Sequence, residues 1–439
     1  MSSHSIDLKL IHRALRHRNY RLYFYGQTIS LIGTWAQRLA IGWLVYRLTG
    51  SAFVLGLVGF VGDLPAFLFA PLAGVLADRW PRHRLVVLLQ ALAMIQALVL
   101  AILVLTGAVT VWHVIVLSMF LGVLNAFDVP TRQSFLVELI ERREDLGNAI
   151  ALNSSMVNAA RLLGPSLAGV LIATVGEGMC FLLNGISYVA VLASLLAMKI
   201  RPSEREAAGT RIFQELKQGF AYVAGFAPMR SILLLVALTS LMGVPYQVLM
   251  PVFAKDILHG GPYVLGFLMG CAGVGALAGA VYLAARKTVM GLESVITLAA
   301  GVFGIGLVAF SFSRILWLSL GLMVLTGFGM IVQLSSSNTV LQTIAEDDKR
   351  GRVMSFYTMA YRGMVPLGSL LAGILASTIG APGTLLIGGV CCLAGSVLFA
   401  RNLSTWRKAI RPLYSRLGFA PEAASGIPRS TDAGVPLGE

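Results

Sequence analysis

Residues 74–84 read GVLADRWPRHR, and the topology of the whole chain turns on this stretch. An apolar run from Ser51 to Ala77 leads into it, and a second from Leu85 to Thr106 leaves it. Each run is long enough to cross a bilayer as a helix, which takes about 20 residues. Residues 74–84 are then a tight turn between two membrane spans. Arg79, Arg82, His83 and Arg84 crowd into it beside a single acid, Asp78. A loop that basic stays on the cytoplasmic side.

Composition agrees. The 439 residues are 57% hydrophobic and only 12% charged, with a mean hydropathy of +0.80; soluble domains carry roughly 25% charged residues. The net charge of +14 does not mark a nucleic-acid binder, because the cations follow the membrane. Of the 34 Lys and Arg, only Arg47, Lys255 and Arg314 fall on the far side, and Arg38, Arg132, Arg161 and Arg362 fall within spans. The rest lie in the N-terminus, alternate loops and the tail, which predicts both termini in the cytoplasm. The lipid bilayer is the partner those charges serve, and no nucleic-acid partner is expected. Met1 to Asn19 is polar and basic and has no signal-peptide pattern. Cys180, Cys271, Cys391 and Cys392 lie inside apolar runs and read as packing residues.

Taken in order, the pattern predicts an all-α membrane protein of twelve transmembrane helices in two six-helix halves. A basic N-terminus (1–19) precedes the first half (20–198). A polar linker (199–230) contains an amphipathic run from Phe213 to Val223. The second half (231–401) precedes a cytoplasmic tail (402–439), partly disordered in composition. The halves resemble one another: LAGVLIATVG (167–176) and LAGILASTIG (371–380) are identical at six of ten positions and fall in the fifth and eleventh spans. That placement points to a duplicated, pseudo-symmetric unit.

Ionisable groups inside spans are costly and need a partner or a wet cavity. Asp63 lies near the middle of the second span. Burial disfavours the charged carboxyl, so Asp63 is the candidate for proton coupling, for a substrate counter-ion, or for a static pair with Arg38. Asn125, Asp128 and Arg132 share one face of the fourth span, and Asp128 and Arg132 are spaced to pair. Ser154, Asn158, Arg161 and Pro165 form a stripe on the fifth span; Ser355, Thr358, Arg362 and Pro366 form one on the eleventh. Such stripes face protein or water, not lipid. Arg38, Asn158, Arg161, Gln333, Tyr361 and Arg362 are the candidates for the substrate pathway. Four arginines against two mid-span acids favour an anionic substrate.

The turn at 74–84 resembles the signature of the major facilitator superfamily, G-x-L-A-D-[RK]-x-G-[RK]-[RK]. Gly74, Leu76, Asp78, Arg79, Arg82 and Arg84 match it; Pro81 stands near its second glycine. NAFDVPTRQSF (125–135) resembles the branch holding the enterobactin exporter and macrolide efflux pumps. ARLLGPSLAG (160–169) is similar to the exporters' helix-5 element, with Gly164, Pro165 and Gly169 in place and Ala160 and Ala168 for two glycines. The resemblance implies the major facilitator fold, with a substrate site near mid-membrane between the halves. It implies a cytoplasmic latch in which Asp78 and Arg82 meet the start of the eleventh helix. Gly74, Arg79, Arg84, Asp128 and Arg132 are counted with that gate. The loop after the eighth span, with Arg286 and Lys287 but no acid, lacks a second copy of the signature.

GxxxxGK[ST], G-x-S-x-G and H-E-x-x-H do not occur in the sequence, so no ATPase, hydrolase or zinc-protease reading arises. No metal and no cofactor is expected. The expected activity is secondary transport: export of a small amphipathic or anionic molecule, siderophore-like or drug-like, by proton antiport and alternating access in a monomer. An uncoupled facilitator, a lysophospholipid transporter and a non-transporting sensor or scaffold are the alternatives.

Overall fold

The computed structural model describes residues 13–69, 72, 80–199, 212–286, 288–404 and 406. Among the described residues there is no β-strand, and nine helical segments are long and apolar enough to cross a membrane. The helices are α1 (Arg18–Thr49), α2 (Ala52–Leu68), α3 (Arg82–Leu105), α4 (Val111–Glu138), α5 (Leu146–Val175) and α6 (Glu177–Leu196). After the linker come α7 (Ile212–Gly225), α8 (Ala227–Leu238), α9 (Tyr246–Val252), α10 (Pro262–Ala284), α11 (Leu292–Phe312), α12 (Leu316–Ile344), α13 (Arg350–Thr358) and α14 (Met364–Arg401). Gly74, Asp78 and Arg79 lie outside the described residues, as do most of the N-terminus and tail and residues 200–211 of the linker.

Local sequence explains the breaks. Gly50 caps α1 in the left-handed conformation at φ 60°, where a side chain would be strained. Ser51 then accepts a hydrogen bond from the Val54 amide and starts α2. Three π-helical turns interrupt the later helices, at Thr239–Gly243, Phe253–Ile257 and Met359–Gly363. Each stands within a few residues of a proline (Pro245, Pro251, Pro366), whose missing N–H leaves a carbonyl to be satisfied in another way. The first span after α7 begins at Ala227, within the stretch read as linker, and is broken into α8, a π turn, α9 and a second π turn. The expected eleventh and twelfth spans run through α13, a π turn and α14, and they part at a kink at Gly380.

Helices α1 to α6 pack on one another, and α8 to α14 do likewise; α5 on α10 and α2 on α14 join the two groups. Both joints are glycine crossings. A Cβ added at Gly169 of α5 would stand 2.8 Å from Gly266 Cα on α10, and one at Gly373 of α14 would stand 2.9 Å from Gly56 Cα on α2. Gly169 and Gly373 are equivalent positions of the repeated decamer. Its last residues also match in conformation: Gly176 has φ 85° and ψ 168°, and Gly380 has φ 79° and ψ 161°. The repeat is thus reproduced in backbone shape and in the packing it permits. Close small-residue approach is how helices associate where lipid removes the hydrophobic drive.

α1 is too polar to count among the nine apolar spans, and its burial shows why it is nonetheless a core helix. Gln27, Ser30 and Gln37 are all buried. Gln37 donates to Gln96 Oε1 on α3 at 2.9 Å and accepts from Asn184 Nδ2 on α6 at 2.7 Å. These amides satisfy one another away from water. Past the linker, α7 rests on the start of α13, with Lys349 Nζ 4.6 Å above the Tyr222 ring.

Replacing Gly169 or Gly373 with valine forces a backbone joint apart. Overpacking of this kind costs about 1–3 kcal/mol. Both variants are expected to melt several degrees below wild type in detergent, whereas valine at Gly147, which has open space around it, leaves the midpoint in place.

Candidate functional site

A cavity of about 220 Å³ lies where the two groups of helices meet. Its wall comes from both: Trp35 and Arg38 of α1, Asp63 of α2, Asn125 of α4 and Pro165 of α5 on one side; Gln247 and Pro251 of α9 and Met269 of α10 on the other. α2 brings its one acid into this space next to Pro65, and the π turns on either side of α9 present Gln247.

Charge in the wall is unevenly neutralised. Arg38 is exposed to the cavity and Asp63 is half-buried. Both line the space, but no ion pair joins them or links either to another described residue. The static Arg38–Asp63 pair, one alternative from the sequence, is not formed. Two cations lie close to Trp35: the Arg38 guanidinium is 5.3 Å and that of Arg161 5.1 Å from its ring centroid. Such stacking is worth about 0.5–1 kcal/mol exposed and more when desolvated. Arg161 is half-buried, and its Nε is buried without a hydrogen-bond partner.

The other predicted pathway residues are dispersed. Asn158 is half-buried on α5, and Tyr361 is half-buried against the main core. Gln333 is buried on α12 and accepts from Thr239 Oγ1 at 3.4 Å. Arg362 is exposed in the π turn before α14, beside Gly363, which packs on Phe67 of α2. None of these four lines the cavity.

The fourth-span cluster is a buried network. Arg132 Nε lies 2.6 Å from Asp128 Oδ2; Gln90 Nε2 donates to Asp128 Oδ1 at 2.8 Å, and Arg132 Nη1 donates to Gln27 Oε1 at 3.1 Å. It ties α1, α3 and α4 together and stands apart from the cavity. Among its partners, Arg82 has Glu138 Oε1 at 3.0 Å and Ser134 O at 3.3 Å, both on the neighbouring α4. Arg84 is exposed. In the helix-5 element, Gly164 lets α5 close on Trp35 and the Ile32 carbonyl of α1, Pro165 lines the cavity, and Gly169 makes the crossing with α10.

At the end of the bundle bearing the crossings, the two groups also share polar contacts. Tyr46 of α1 donates to Asp256 Oδ2, and Lys255 Nζ lies 5.4 Å from the Tyr46 ring. Within the first group, Arg47 Nε of α1 meets Glu177 Oε1 of α6 at 2.7 Å. Sequence reasoning missed Trp35, although its position three residues before Arg38 puts both on one helix face. It also missed the Tyr46–Asp256 contact, for which no local signal exists.

Known proteins share this architecture. A profile of the family described as transmembrane secretion effector matches residues 12–414. The staphyloferrin A transporter of Staphylococcus aureus (strain NCTC 8325 / PS 47) is 26% identical over 381 residues, 86% of this chain and 94% of that protein. Macrolide efflux protein A of Streptococcus pyogenes is 23% identical over 398 residues, 86% of this chain and 96% of that protein. Among solved structures, a bacterial homologue of the iron transporter ferroportin in an inward-facing state superposes with a TM-score of 0.69 at 18% identity, covering 88% of this chain and 99% of that one. That likeness concerns the fold alone.

Arg132→Ala leaves the Asp128 carboxylate buried and uncompensated. Removing one partner of such a pair costs roughly 3–5 kcal/mol. The variant is expected to lose folded protein on heating in detergent far below wild type, and the double variant Asp128→Asn/Arg132→Gln to recover much of that loss.

Proposed function

Because the chain belongs to the transmembrane secretion effector family of major facilitator transporters, we propose that it exports a small amphipathic or anionic organic molecule, siderophore-like or drug-like, by proton antiport. The chain is not an enzyme: its family and relatives are transporters. The observation that carries the reading is Asp63, a carboxylate without an ion-pair partner in a cavity walled by both groups of helices. A group placed there meets whatever crosses the protein and senses its charge.

In this reading the spans form twelve helices in two pseudo-symmetric halves, working as a monomer in a bacterial inner membrane with both termini cytoplasmic. The duplicated decamer and its paired crossings support the two-half arrangement. The halves rock about the crossings Gly169–Gly266 and Gly56–Gly373, which close one face of the cavity while the other opens. Opening the closed face requires these joints and the Tyr46–Asp256 contact to separate. Asp63 takes up a proton from the outer side and releases it inside. The driving force is the proton motive force, about 2.3 kcal/mol per charge per 100 mV of potential. The signature turn at 74–84 and Asp128–Arg132 serve as the cytoplasmic gate. Asn158, Gln333, Tyr361 and Arg362 line the pathway in the states in which the opposite face is open.

Everted membrane vesicles, acidified by respiration, test this. Adding carboxylate siderophores, macrolides, cationic dyes or lysolipids to vesicles holding the wild-type chain should release protons for one class. Vesicles with Asp63→Asn should not respond. An equal response from both would remove Asp63 from coupling. Uptake of label without proton movement would favour an uncoupled facilitator.

A further inference from the structure

Arg38 and Asp63 line the cavity, and Arg161, outside the lining, shares the lining residue Trp35 with Arg38, so two cations stand against one acid in and beside the wall. Arg38 and Arg161 approach the same indole, at 5.3 and 5.1 Å from its centroid. Neither forms an ion pair or hydrogen bond among the described residues, and Arg161 keeps a buried, partnerless Nε. Among the described residues, Asp63 is the one carboxylate in the cavity lining. By comparison, Arg132, in the same group of helices, has an acid partner in Asp128 and donates to Gln27. Two guanidiniums held at one indole without an acid repel one another. Like charges brought together need counter-charge, and a ring quadrupole supplies only part of it.

From this imbalance we infer that the substrate is a small organic polyanion. At least two of its acid groups are received by Arg38 and Arg161, with Trp35 holding the two guanidiniums at a set spacing. This deepens the export reading and rests on it. Guanidinium forks match carboxylate and phosphate alike, in bidentate geometry that lysine does not reproduce. The cavity chemistry therefore selects multiple oxygen acids, and a lipophilic cation meets two like charges there. Asp63 stands against the substrate, so its charge weakens binding. A polyanion leaving the cytoplasm as a proton enters moves charge in one electrical sense. The membrane potential, more than the pH difference, then expels it.

The test is equilibrium binding to the purified full chain in nanodiscs, read by calorimetry. The probes are tricarballylate, its neutral trimethyl ester, phosphonoacetate and tetraphenylphosphonium. Tricarballylate is expected to bind and the ester not to. Arg38→Gln and Arg161→Gln should each weaken binding about tenfold or more, the loss of one charge-assisted hydrogen-bonded contact, and Arg38→Lys should restore only part. Asp63→Asn should tighten it. Binding of phosphonoacetate as well would widen the class to phosphorus acids, and its absence would narrow it to carboxylates; both support the assignment. Unchanged melting of each variant without ligand separates lost contact from lost fold. Equal binding of acid and ester, preference for the cation, or no binding of either acid at millimolar concentration would overturn the assignment. Failure here alongside Asp63-dependent proton flux with another compound leaves the export reading intact. Binding of the acid without any flux in vesicles overturns export alone.

Discussion

Where α5 crosses α10 and α2 crosses α14, nothing wider than a hydrogen fits between the backbones. The helices around them depend on this approach. In lipid, apolar side chains gain little by leaving their surroundings for one another, so contact must come from close packing. Glycine at both partners of each crossing lets the backbones touch. That contact joins the two groups of helices at one end of the bundle, and Tyr46–Asp256 adds a polar contact between the same groups. The cavity lies at this seam, where the joined helices cannot fill the space between them.

The same lack of water sorts the polar residues. Gln37, Gln96 and Asn184 saturate one another, and Asp128 has Arg132 and Gln90. These pairs bind helices of the first group to one another. The seam holds charged groups without such pairing. Arg38, Arg161 and Asp63 lack acid or base partners, and a polar group without a partner in a protein interior calls for an explanation. A transported ligand supplies one.

The π turns fall into the same picture. All three lie in the second group, two of them flanking α9, which lends Gln247 and Pro251 to the cavity. A π turn leaves looser backbone hydrogen bonding than an α-helix, and such turns concentrate at functional sites. The first group, with none among its described helices, supplies the charges. The second supplies uncharged surface and the breaks in helical geometry.

Much of the fold was legible from the sequence alone. The spans from Leu292 to Phe312 and from Leu316 to Ile344 start and stop where the apolar runs do, because hydrophobic length is a local property matched to bilayer thickness. The duplicated decamer by itself marks Gly169 and Gly373 as equivalent, since the same residues permit the same approach. In-span charge picked out Arg38, Asp63 and Arg161, because the cost of burying a charge is high wherever it falls. The sequence could not say which of these charges would be neutralised. Asp128 found Arg132 one turn away, a pairing readable from spacing. That Arg38 and Asp63 share a space without pairing, that Arg82 turns to α4, and that Arg362 and Gln333 stand off the cavity were decided by helix rotation and crossing. Those depend on contacts between residues a hundred or more positions apart, for which hydrophobicity and spacing carry no signal. Helix periodicity orients a side chain relative to its own axis; only packing of the axes against one another decides what it faces.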